Sequence, residues 1–344
     1  MRKGQNPAKF VKDVARPQRI TVALLNYIPF LSGFYAETLD VLKVCMESMR
    51  NDAGLSFDLM VFDNGSCPEV RDFLIKEKEE GRIQYLILAE KNMGKGGAWN
   101  VMLAGAPGEI IAYTDSDVLF SPKWLSRSVE ILETFPNVGM VTARPFRTPP
   151  EYYSNTLAWA NKTRGAKLED GQFIPWETFL EFNLSLGQTE EENKKVYAET
   201  KDWKITMSLR GAERRSNLPS NKETASQKPL AATSDEIVAF AGASHWQFTA
   251  YKSTLQQFLP FDMDKPMGQV RQLDKRMNDA GLLRLMVSDP LAMNMSNTLG
   301  YLRGELGKQT VKRKPGLARR VLEVGFIKKI LLAVYNKIFT WYYS

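Results

Sequence analysis

Two carboxylates one residue apart, Asp115 and Asp117 with Ser116 between them, close an apolar run in the stretch GEIIAYTDSDVLFSP. Charge at the mouth of a buried strand is costly unless something pairs with it. A divalent cation is one such partner. Mg2+ or Mn2+ takes hard oxygen ligands, keeps several waters and bridges substrate phosphates, so it asks for few protein groups. Proton transfer between the carboxylates and a substrate is a second possibility, and an Asx-capped turn a third.

Two further polar clusters bear on that choice. Asn92-Met93-Gly94-Lys95-Gly96-Gly97 is glycine-rich and opens a helical pattern. Glycines let backbone approach a ligand closely, and a helix start offers free N–H groups to an anion. A close-packed strand-to-helix turn uses the same residues. No Ser or Thr follows Lys95, which excludes a Walker A loop, and the full dinucleotide fingerprint is absent. Asp63-Asn64-Gly65-Ser66 can hydrogen-bond a base or ribose, or cap the helix opened by Pro68.

The elements that must position these clusters alternate. ITVALLN (20–26), FDLMVFDNGS (57–66), IQYLILAE (83–90) and IIAYTDSD (110–117) read as strands. FYAETLDVLKVCMESMR, PEVRDFLIKEKEEG and GKGGAWNVMLAGA read as the helices between them. Such alternation with short links predicts an α/β fold, a mostly parallel Rossmann-like sheet with helices on both faces. Ligands of these sheets bind beyond the strands' carboxyl ends, where all three clusters fall. Asp115 and Asp117 should point to the same side if strand geometry persists through them.

The totals fit a globular chain: 344 residues, 44% hydrophobic and 25% charged. Two cysteines, Cys45 and Cys67, provide no disulfide framework, the N-terminus lacks a signal-peptide core, and the first apolar run is too short to span a bilayer. A cytoplasmic protein is expected. The net charge of +7 is concentrated from Arg303 onward, where ten Lys or Arg face two Glu. A neutral body argues against nucleic acid, and a basic end argues for an anionic surface met there.

With these motifs in hand, residues 20–145 resemble the nucleotide-sugar-binding half of a family 2 glycosyltransferase of the GT-A fold. VFDNGS, EKNMGKGGAWNVML and YTDSDVLFSP are similar to its three motifs in order, the second matching N-x-G-x-x-x-A-x-N at Asn92, Gly94, Ala98 and Asn100. The resemblance implies a nucleoside-diphosphate sugar donor held by Asn26, Asp63, Asn64, Asn92, Gly94, Gly97, Asn100, Asp115 and Ser116, with Asp63 on the base. It implies a divalent metal, Mn2+ or Mg2+, with Asp117 as direct ligand and Asp115 near the metal or ribose. Such a metal neutralises the leaving diphosphate.

The second half departs from the family. Aligning FDMDKPMGQVRQLDKRMNDAG on the family's base-bearing segment puts Gln269 and Val270 where acids are expected. Asp264 or Asp274 is then the candidate catalytic base, an acceptor already anionic or a retaining mechanism being the alternatives to a base, while Asp262 reads as structural. His245 and Trp246 sit where this fold places acceptor and donor sugar, and Asn294 replaces a late metal-binding His.

The expected organisation is a basic arm (1–18), a donor-binding half (19–149), an insertion and lid (150–235, with the polar 211–235 as a loop), an acceptor-binding half (236–300) and a basic tail (301–344). In the tail, Ile327, Ile330, Leu331, Val334, Ile338 and Trp341 share one helical face. That amphipathic C-terminal helix suits the inner face of a membrane, or the protein's own core. The acceptor would be a glycan or a lipid-linked molecule, as in polysaccharide biosynthesis. Two other readings stand beside this one: a catalytically degenerate binding module of the same fold, and a haloacid-dehalogenase-type phosphatase. The latter places its D-x-D pair after the first strand rather than the fourth.

Overall fold

The computed structural model describes residues 5–208, 236–263 and 270–305. The expected lid (211–235), Asp264, and the amphipathic C-terminal helix lie outside the described residues.

Strand and helix alternate from the start: β1 (Ile20–Asn26), α1 (Thr38–Ser48), β2 (Asp58–Asp63), α2 (Pro68–Glu79), β3 (Tyr85–Leu88), α3 (Gly94–Gly105) and β4 (Ile110–Asp115). These four strands are parallel neighbours in the order β3-β2-β1-β4. Period-two patterning divides their side chains between two cores. Ile20, Val22, Leu24, Ile110 and Ala112 join one apolar cluster with α1 and α2. Ala23, Leu25, Ile111 and Tyr113 join another with Ala98, Trp99, Met102 and Leu103 of α3. The near-continuous apolar runs are the signature of strands covered on both faces.

The chain continues through β5 (Val118–Phe120), α4 (Trp124–Thr134), β6 (Val138–Thr142), α5 (Ser154–Lys162), β7 (Ala166–Gly171), α6 (Trp176–Ser185), α7 (Glu190–Glu199) and β8 (Asp202–Ser208). After the lid segment come β9 (Glu236–Ala241), β10 (Gln247–Tyr251), α8 (Lys252–Gln256), α9 (Val270–Asp279), β11 (Leu283–Val287) and β12 (Ala292–Asn294). The sheet grows as β4-β10-β6-β11-β9-β8-β7, antiparallel at every pairing except β6 with β11.

The boundary expected at 150 is softer than the sequence suggests. Residues 166–171 and 202–208 are strands of the main sheet, not part of a lid. Helix α6 packs Phe179 and Phe182 on Phe146, Phe240 and Met286, and α7 adds Tyr197. Strand β12 leaves the main sheet and pairs with β5 alone, Asn294 opposite Val118. This short pairing holds the residues after Asp115 in place.

Candidate active site at the carboxyl edge of the parallel strands

The first two clusters tie themselves together. Asn26 Nδ2 donates to Asp63 Oδ1 at 2.9 Å and to Ser66 Oγ at 3.1 Å, and the Ser66 amide donates to Asp63 Oδ2 at 3.0 Å. Asp63 is 0% exposed. Each of its oxygens accepts one of these bonds, and together they anchor the loop after β2. Asn64 Oδ1 accepts from the Met93 amide at 2.9 Å, and Asn64 Nδ2 donates to Asn92 Oδ1 at 2.9 Å. Asn92 Oδ1 also accepts from the Gly94 amide at 2.8 Å. At Gly65, with φ of +87°, a Cβ would come within 2.9 Å of the Asn92 backbone nitrogen. The two loops meet there with no room for a side chain.

The glycines of α3 serve packing. A Cβ on Gly96 would lie 3.1 Å from the Asp262 carbonyl, and one on Gly97 would lie 2.9 Å from Met263 Cε. Asn100 clasps the same segment, Nδ2 donating to the Phe261 carbonyl at 2.8 Å and Oδ1 accepting from its amide at 2.6 Å. Gly97 and Asn100, expected at the donor, fix residues 261–263.

The acid pair is arranged differently. Strand geometry ends at Asp115 and a turn carries Ser116 and Asp117 into β5, so the expected alternation to one side stops short. The Asp115 amide donates to the Trp246 carbonyl at 2.9 Å. Its carboxylate is held by Lys95 Nζ at 2.7 and 2.8 Å and accepts a short bond from the Tyr113 hydroxyl. Burial and the neighbouring Asp115 charge raise the Tyr113 phenol well above its ordinary range, so it remains a donor. Ser116 is half-buried between the two acids.

Asp117 has no such compensation. Its Oδ1 is buried without a hydrogen-bond partner, and Oδ2 receives only a long contact from Asn294 Nδ2 at 3.4 Å. Desolvation first, then the charge of Asp115, push its carboxyl up to about 7. A buried unpaired oxygen beside a second carboxylate is the environment a cation relieves. Among the described residues no group of three or more His, Cys, Asp or Glu gathers anywhere. Two carboxylates nevertheless fit Mg2+ or Mn2+, whose remaining positions go to water and phosphate. Asn294 Oδ1 accepts from the Ser296 amide at 2.9 Å, which turns the amide's NH2 toward Asp117. It donates to the acid rather than offering an oxygen.

Beside this edge lies a second charged group. His245 Nδ1 sits 2.8 Å from Asp274 Oδ2, while Asp274 Oδ1 accepts from Arg284 Nη2 at 2.5 Å. Asp274 is 4% exposed, and the Arg284 side chain is fully buried. A carboxylate enclosed by two partners cannot reach an acceptor hydroxyl, so Asp274 is not the proton acceptor in its own right. The Trp246 ring stacks on Phe182 at 5.7 Å, and its indole Nε1 is buried without a partner, so one ring face is spent on the core.

Two residues escaped the sequence reading although signals existed for both. Lys95 is a cation in the first turn of a helix that has no acid there, where the macrodipole disfavours it. Its partner had to come from elsewhere. Arg284 is the one charge in LRLMV, a strand buried at every position, and such a charge demands a carboxylate.

Comparison with known proteins bears on what this edge is. The model of glycosyl transferase family 2 matches residues 33–184. An uncharacterized glycosyltransferase of Nostoc sp. is 32% identical over 84 residues, covering 24% of this chain and 26% of that protein. One from Rickettsia bellii is 31% identical over 88 residues, covering 26% of this chain and 12% of its own length. The chain thus spans only a minor part of the curated relatives it matches. Among solved structures, a mannosyltransferase from Pyrobaculum calidifontis in complex with GDP-Man and Mn2+ aligns over 80% of this chain and 56% of its own, at 16% identity and a TM-score of 0.39. Over the matched segment, which carries all three clusters, this chain is similar to glycosyl transferase family 2.

Proposed function

We propose that the protein is a metal-dependent glycosyltransferase, moving a sugar from a nucleoside-diphosphate donor to a hydroxyl of a glycan or lipid-linked acceptor. The observation that carries this reading is the buried, unpartnered oxygen of Asp117 next to Asp115, at the edge where the loops after β1, β2 and β4 converge. Asp117 and Asp115 would hold the cation, which when bound supplies positive charge for the leaving diphosphate. Lys95 neutralises Asp115, its ammonium lying over the rings of Trp99 and Tyr113. The fused loops 63–66 and 92–94 form the rigid rim on which the nucleotide would rest. The 261–263 segment, fixed by Asn100, closes the side over α3.

The test is calorimetric titration with UDP-, GDP-, dTDP- and CMP-sugars, with and without Mn2+. Micromolar binding of one nucleotide class that requires Mn2+, and is lost in Asp117→Ala while the fold persists, is the expected result. Binding unchanged by Asp117→Ala would remove the metal claim, and no binding across the panel would favour the degenerate binding module.

A further inference from the structure

The acceptor hydroxyl must lose a proton, and the positions that align with the family's acids carry Gln269 and Val270. Asp274 is enclosed, but what encloses it is informative. Its Oδ1 is spent on Arg284, which is itself fixed by the Tyr152 carbonyl at 2.7 Å and the Ala243 carbonyl at 2.5 Å. Burial of the guanidinium is costly and depresses its affinity for a proton, an effect that the Asp274 charge opposes. The pair is therefore a fixed scaffold. Its remaining oxygen, Oδ2, faces His245 Nδ1. A carboxylate salt-bridged to arginine accepts hydrogen bonds and has none to give, so Nδ1 must carry the ring proton. That leaves Nε2 with a free lone pair, and among the described residues no group is bonded to it.

The ring is also in the right place. His245 precedes Trp246, whose carbonyl receives the Asp115 amide, so the imidazole belongs to the same sheet edge as the acid pair. With 23% of its side chain exposed, it can meet a hydroxyl from solvent. From this geometry we infer that His245 is the general base of the transfer proposed above, and that Asp274, locked by Arg284, is its positioning residue.

The step balances within the groups named. The acceptor O–H proton passes to His245 Nε2 as the acceptor oxygen bonds to the anomeric carbon. The bond from that carbon to the diphosphate oxygen breaks, and its electron pair leaves with the nucleoside diphosphate. The imidazolium so formed lies against the Asp274 carboxylate, which stabilises it as the buried acid of a Ser-His-Asp triad does. This inference rests on the glycosyltransferase reading, since without a donor there is no oxygen to activate.

One measurement needs no substrate. The chain contains a single histidine, so its imidazole nitrogens give one unambiguous set of 15N resonances. The expected spectrum is that of the Nδ1–H tautomer, with the preference lost in Asp274→Asn; an Nε2–H tautomer in the wild type overturns the inference. A second measurement follows nucleoside diphosphate release, with water as acceptor, from whichever nucleotide sugar of the panel binds. His245→Gln should bind donor as the wild type does, and lose roughly 10²-fold or more in kcat. Free imidazole should restore release in His245→Gly.

Release by His245→Gln within about threefold of wild type overturns the base assignment while the donor site stands. So does a wild type that binds donor yet releases nothing. A wild type that binds no nucleotide sugar fails the underlying reading itself and takes this one with it.

Discussion

The rim proposed for the donor and the triad proposed for the acceptor side solve the same problem, holding polar groups still in a buried place, in opposite ways. Around β1 and β2 the bonds join the end of β1 to two loops and are mostly neutral: Asn26 donates to Asp63 and Ser66, and Asn64 donates to Asn92, while Asn26 Oδ1 is left buried without a partner. Around β11 the bonds are between charges brought from three separate elements: Arg284 from a strand, Asp274 from a helix and His245 from a loop. Neutral networks lose little when one member goes, whereas a buried ion pair loses much. The acceptor side should therefore be the more brittle half.

Arg284→Met gives the strongest challenge. Removing the guanidinium leaves Asp274 buried with its charge uncompensated, and a loss of about 3–5 kcal/mol is expected by urea denaturation. A loss below that of the donor-side variants would end the contrast. On the donor side, Asn26→Ala deprives Asp63 and Ser66 of a buried donor and should cost about 1–3 kcal/mol. Lys95→Met keeps the stem against Trp99 and Tyr113 but frees Asp115 from its cation. Its Mn2+ affinity without nucleotide should rise about three- to tenfold in calorimetry, near 1 kcal/mol. Unchanged affinity would mean that Asp115 takes no part in holding the ion.

The smallest effect is a half-exposed ion pair that serves as a reference, a buried Glu77 held by a solvated Arg82. The Glu77 carboxyl is held below its usual range, mainly by hydrogen bonding from Arg82, against some desolvation. A lowered folded value means the stabilisation is present above the unfolded Glu value of about 4.3 and is lost as pH falls through the folded one. Because Arg82 is 44% exposed, Glu77→Gln should cost under about 1 kcal/mol at pH 7 and flatten the acid limb of stability. A larger cost would show that even half-exposed pairs carry weight here.

Legibility in the sequence follows the same divide. β1 through β4 and their helices were readable because apolar runs, Pro68 at a helix start and glycine punctuation are local signals, and the carboxyl-edge convergence followed from them. What the clusters touch was less so. Asn100 matches a motif by spacing, but its bonds reach Phe261, 161 residues away, and no local pattern announces that. Asp117 meets Asn294 across 177 residues through the β5–β12 pairing. The strands at 166–171 and 202–208 were hidden because they sit on the sheet's far edge, partly exposed and interleaved with charge, and so lack the apolar continuity that marked the others.

Gly65 carries one more consequence, for anyone who would redesign the proposed nucleotide rim. Because its bare α-carbon is where the loop after β2 touches the backbone of Asn92, and because Asn64 laces the two loops on either side, neither can be lengthened, shortened or grafted by itself. Residues 63–66 and 91–94 are a single exchangeable cassette, and a library that varies one while freezing the other would consist mostly of chains that cannot close the rim.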